Sequence, residues 1–252
     1  MAETNKAPGS PSLLFFFITT TIYSILTYYT KNSKNRLMLT GVYFLIVVLV
    51  QYYLNLGVAT AICGVPQYGT AAMVTFVPWV IMFGLLKVAL TAFPGWLAPF
   101  SNTFGYLIAS LAGLKSTLNK ILAPQGEKKG NSATLLNDIY SDPSLMLNEI
   151  TLQNVDTWWQ NMTNSDLLSA KASDFKEDLI SLVRMKNIVS EYIWFLLTGT
   201  LISSVSYNYT VGTTCVLTPD EISSRSEKLR KAADEQLKND QNKQQEVYTT
   251  SE

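Results

Sequence analysis

Residues 37–86 form a run of 50 without one charged side chain. A soluble domain spreads charge over its surface, so a bare stretch of this length points to polypeptide solvated by lipid. Residues 7–30, 88–114 and 192–219 are likewise uncharged, and the four stretches cover 129 of the 252 residues. All 19 basic and 19 acidic residues therefore crowd into the other half, and the net charge of zero hides their segregation. This pattern predicts an all-α, multi-span membrane protein with a small helical extramembrane domain and a charged C-terminal helix.

The organisation follows from the charge-free blocks. Residues 1–11 are expected to be a disordered N-terminus, and 12–123 the membrane domain, with spans at about 12–29, 37–56 and 70–86. The first segment matches an uncleaved anchor better than a signal peptide, because no small-residue cleavage site follows its apolar run. Lys31, Lys34 and Arg36 make a basic loop without an acid, the strongest positive-inside signal in the chain. Residues 57–69 are rich in small residues and predict a turn carrying Cys63. Pro78 interrupts the third helix, which membrane helices tolerate when a neighbour satisfies the freed carbonyl. Lys87 is expected to close that span and snorkel to the headgroups; the alternative is a buried charge on an ion path.

Residues 88–123 are ambiguous. Two proline turns, at 93–96 and 99–103, precede a helix expected from about Asn102 or Thr103 to Ala123, amphipathic in spacing. An interfacial or re-entrant segment is favoured over a fifth crossing, with Trp96 as an interface anchor. Residues 124–190 open with a linker and continue as a helical extramembrane domain. Asp142-Pro143, Ser165-Asp166 and Ser173-Asp174 look like helix starts. Trp158 and Trp159 are candidates for partner contact or for the domain core. From Asp174 one unbroken helix is expected to run into the last span, 191–210. In the final segment, 211–252, Thr218-Pro219-Asp220-Glu221 is a capping box. A charged helix to about Lys243 should follow, carrying a thin stripe of Ile222, Leu229 and Leu237, and then a disordered tail.

The same inventory bears on chemistry. Histidine is absent and only two cysteines occur, so a structural zinc site lacks its usual four ligands and the commonest general base is missing. No glycine-rich phosphate loop, nucleophile elbow or zincin motif is present. The expectation is therefore no enzyme, no catalytic, cofactor-binding or metal residue, no nucleic-acid partner and no evident small-molecule substrate. If residues 88–114 do not cross, Cys63 and Cys215 lie on one side and a disulfide is permitted; the alternative is two unpaired thiols.

Residues 64–80 (GVPQYGTAAMVTFVPWV), 93–113 (FPGWLAPFSNTFGYLIASLAG) and the TTC and TPDEI runs within 213–222 resemble a membrane protein family of large icosahedral nucleocytoplasmic DNA viruses of algae and protists. The likeness is strongest at 93–106 and covers the membrane core. It implies a virion protein, a minor capsid or inner-membrane component, that contacts both an internal lipid membrane and capsid proteins, and it transfers no catalytic residue. A channel or transporter subunit and a membrane-shaping assembly factor are the competing readings.

Overall fold

The computed structural model describes residues 10–126 and 129–249, with side chains described for 11–126 and 129–241. The described chain is all-α: 83% is helical and none of it forms a strand. Four helices are long and apolar enough to cross a bilayer. They are α1 (Ser10–Tyr29), α2 (Ser33–Cys63), the composite α3 (Tyr68–Ala92) and α9 (Lys176–Gly212). Between α3 and α9 lie α4 (Tyr106–Leu111), α5 (Leu114–Ile121), α6 (Asn131–Ser141), α7 (Ser144–Leu147) and α8 (Val155–Asn164). Helix α10 (Pro219–Thr249) follows α9.

The four long helices close around an aromatic core of Phe16, Tyr23, Tyr43, Trp79, Phe83 and Phe195. Phe16 fits against Gly199, where a Cβ would lie 2.0 Å from its ring. Lipid gives no hydrophobic drive for helix association, so close packing and interhelical hydrogen bonds must supply it. Thr20 meets Tyr43 at 2.9 Å, Tyr23 meets Thr40 at 3.0 Å, and Asn55 donates to Thr75 at 2.8 Å. Gln51, buried in α2, pairs with Ser12 at the start of α1.

Pro78 has no N–H to offer the carbonyl of Val74, one turn back. The helix widens into a π segment over Val77–Phe83, and Ser206 donates its hydroxyl to that carbonyl at 2.8 Å. A neighbouring helix thus satisfies the freed group, as the sequence anticipated.

Several boundaries differ from expectation. Helix α2 runs through Cys63, so only residues 64–67 remain as the turn; Gly64, with φ +72°, ends the helix in the left-handed conformation. Helix α3 continues past Lys87 to Ala92. The amphipathic helix expected over 102–123 is broken: Gly113, with φ +106°, separates α4 from α5, and residues 94–105 form short 3-10, α and π turns. Ser165-Asp166 ends α8 rather than starting a helix, with Asp166 at φ +54°. Helix α10 extends to Thr249, past the expected end near Lys243. Residues 1–9 and 250–252, expected to be disordered, lie outside the described residues.

The segment 94–121 forms no long helix and packs back along α9. Ser190 donates to the Leu97 carbonyl at 2.6 Å, and Trp194 Nε1 donates to the Trp96 carbonyl at 2.9 Å. At Gly105 the backbones approach so closely that a Cβ would meet the Lys186 carbonyl oxygen at 2.5 Å. Beyond it, α5 to α8 and the start of α9 enclose a second core of Leu114, Leu118, Ile121, Leu147, Ile150 and Leu179. Helix α9 belongs to both cores: Leu179 and Val183 to this one, Phe195 and Ile202 to the aromatic one. Its 37 residues make it about 55 Å long.

Candidate functional site

The two ends of the bundle differ in chemistry. At one end Cys63, on the last turn of α2, is bonded to Cys215, just beyond α9, with Cα atoms 5.5 Å apart. The paired alternative for the cysteines is the one the fold adopts. Gln67 reinforces the clasp: its amide donates to the Val216 carbonyl at 2.9 Å, and its oxygen accepts from the Val216 N–H at 3.2 Å. This double contact amounts to a side-chain imitation of a strand pair. Arg225 donates to the Cys63 carbonyl at 3.1 Å, which pins the first turns of α10 to the end of α2.

The capping box forms as the sequence indicates. The Thr218 N–H and hydroxyl donate to the Glu221 carboxylate at 2.8 and 2.9 Å, and the Glu221 N–H donates to the Thr218 hydroxyl at 3.3 Å. Hydrogen bonds from the Thr218 backbone and side chain hold the Glu221 carboxyl below the usual carboxylate range. Glu221 and Arg225, spaced for an ion pair, therefore take other partners, while Glu227 and Lys231 pair at 2.9 Å. From Ile222 to Gln241 every side chain of α10 is exposed, including Ile222, Leu229 and Leu237.

The other end carries the basic loop. Lys31 and Lys34 are exposed, Arg36 is half-buried, and Asn32 caps α2 by accepting from the Lys34 N–H at 2.9 Å. Lys87 does not close its helix: it lies five residues before the end of α3 and forms a salt bridge to Glu191 of α9. Its ammonium also sits 5.5 Å from the centre of the Phe195 ring. Glu191 was hidden in the sequence because it stands at the edge of a charge-free stretch, one residue outside it.

Deeper on the same side, Lys186 is buried, donating to the Leu147 carbonyl at 2.6 Å and to Asn102 at 3.4 Å. It ties α9 to both the 94–105 turns and the helical domain. Its spacing carried a signal: Lys186 stands seven residues after Leu179 and four after Leu182, on the buried face of α9. Trp96 keeps an exposed ring. Trp158 and Trp159 are half-buried against the second core, which leaves them chiefly as packing residues rather than free partner contacts. Among the described residues no cluster of three or more His, Cys, Asp or Glu is placed to hold a metal ion.

No family model matches this chain, and neither curated proteins nor solved structures show a significant match to it.

Proposed function

We propose that this chain is a structural membrane protein of a virion, tying proteins of the capsid shell to an internal lipid membrane. The observation that carries the anchoring role is α9, one helix that starts in the core of the extramembrane domain, crosses the aromatic bundle and ends at the disulfide that holds α10. A load applied at either end is borne by continuous helix and a covalent bond. The viral setting rests on the resemblance of 64–80, 93–113 and 213–222 to the virion family.

Helix α10 is the handle for a protein partner. Its stripe of Ile222, Leu229 and Leu237 is flanked by charged residues of both signs, which suits a helix-to-helix contact with a minor or major capsid protein. A channel within a single chain is less well supported, because Phe16, Trp79, Phe83 and Phe195 fill the bundle axis and Lys87 is neutralised by Glu191. Particles stripped with non-ionic detergent and high salt should keep the chain in fixed ratio to the shell proteins. A photocrosslinker at Leu229 or Leu237 should capture a capsid protein. Loss of the chain on mild washing, or its absence from particles, overturns the proposal.

A further inference from the structure

At the basic end, a cavity of about 200 Å³ opens between α2, α3 and α9. Three cations line it, Arg36, Lys87 and Arg184, against one carboxylate, Glu191. Glu191 is engaged by Lys87. Arg36 and Arg184 are both half-buried, and among the described residues neither guanidinium has a hydrogen-bond or ion-pair partner. Two arginines lining one cavity, both without a partner, offer the paired N–H donors that a phosphate group accepts.

The depth of the cavity is set by α9. From Tyr192 to Gly212 the helix is uncharged and about 30 Å long, the thickness of the hydrocarbon layer. Glu191 therefore sits where hydrocarbon gives way to headgroups, level with the indole-to-carbonyl contact of Trp194 and Trp96. A second, apolar groove of about 250 Å³ runs from the cavity between α2 and α3, and Lys87 lines both. Its walls are Phe44, Phe83 and Val88, and Gly41 and Gly84 leave it open, since a Cβ at either would meet nothing within 4 Å.

We propose that this composite site binds an anionic glycerophospholipid, with the phosphate between Arg36 and Arg184 and an acyl chain in the groove beside Gly84. A free phosphate shares the headgroup chemistry but has no use for the groove. Basic pockets between membrane helices take lipid headgroups in this way, each cation near the surface adding to the attraction. The site is independent of any partner bound by α10.

The test uses the full chain purified in detergent and native mass spectrometry with added phosphatidylglycerol or phosphatidylcholine of identical acyl chains. Phosphatidylglycerol should be retained on the order of tenfold better. The R36Q/R184Q double variant should lose that preference. Gly84→Leu, whose Cβ meets nothing within 4 Å and whose side chain occupies the groove, should weaken phosphatidylglycerol retention with all charges intact. Lys231→Gln, on exposed α10, serves as a control and should change nothing. Millimolar inorganic phosphate or glycerol phosphate should fail to displace the lipid. Equal retention of the two lipids, or a preference that survives R36Q/R184Q, overturns the proposal. Displacement by soluble phosphate together with a silent Gly84→Leu overturns the lipid assignment. The wild-type comparison and the competition need no variant, so a substitution that fails to fold leaves both as decisive tests.

Discussion

At position 199 a single missing methyl group decides whether α1 can lie against α9. Phe16 is fully buried and hemmed by Trp79 and Phe83 at ring distances of 5.3 and 6.3 Å, so it has no room to retreat from a new Cβ. Gly199→Ala should destabilise the bundle by about 1–3 kcal/mol, the usual cost of overpacking, read as a lower melting temperature in detergent. Adding Phe16→Leu should recover part of the loss. The Lys87–Glu191 pair makes a different claim. Removing Glu191 leaves Lys87 beside Arg36 and Arg184 with no counter-charge, whereas replacing both partners by leucine leaves neither charge behind. The double-mutant cycle should give a coupling of about 1–3 kcal/mol, and additive effects would refute the pairing. Lys87 was legible in the sequence as the lone cation between two charge-free stretches. Its partner was not, because pairing 104 positions apart depends on how α3 and α9 come to face each other. Gly199 was equally silent, since a glycine in an apolar run looks the same whether or not a ring covers it.

Among the elements, α3 and α10 show what local chemistry can and cannot specify. Pro78 announced a lesion in the hydrogen-bond ladder, and the lesion is there, yet only the fold names Ser206 as the group that repairs it. Ser206→Ala should therefore cost about 1 kcal/mol in the wild-type background. In a Pro78→Ala background, where the ladder closes on itself, it should cost much less. Equal costs in both backgrounds would show that the hydroxyl is not repairing the proline site.

The start of helix α10 was legible, because its cap and the Glu227–Lys231 pair are only three or four residues apart, whereas Arg225 left its Glu221 spacing for a tertiary partner. The cap adds a pH dependence whose sign is fixed. The Glu221 carboxyl titrates lower in the folded chain than in the unfolded one, so its contribution is whole above the ordinary carboxylate range and vanishes as pH falls through the lowered value. Amide exchange at Thr218, whose N–H donates to this carboxylate, should accelerate on acidification through that window, beyond the intrinsic rate change, and the Glu221→Ala variant should lack the effect. Residues 94–121 were the least legible. Their apolar spacing is genuine, but Gly113 turns the chain and α9 supplies a long surface for the pieces to follow, neither of which periodicity can reveal.

For the molecule as a whole, the consequential fact is that the two cores share α9 and that the disulfide acts on only one end of it. The Cys63–Cys215 bond spans a sequence separation of 152 residues that contains α3, the entire second core and α9. Its sidedness was deducible once residues 88–114 were held not to cross, although its existence was not, since topology permits a bond without requiring one. Removing a bond that spans so long a loop typically costs about 2–5 kcal/mol. The distribution of that loss distinguishes a clasp from a core element. The aromatic bundle keeps Thr20–Tyr43, Tyr23–Thr40 and Asn55–Thr75, and the second core lies at the far end of α9, so neither should open. What remains at the clasp is Gln67 on Val216 and Arg225 on the Cys63 carbonyl, bonds too few to hold a 31-residue helix in place. The Cys63→Ser/Cys215→Ser variant should thus melt at a lower temperature while keeping its helical content. Its exchange protection should be lost selectively over 213–225 and unchanged over 176–200. Protection lost evenly along α9 would mean that the disulfide organises the bundle itself, and α10 would then be a consequence of the fold rather than a handle fastened to it.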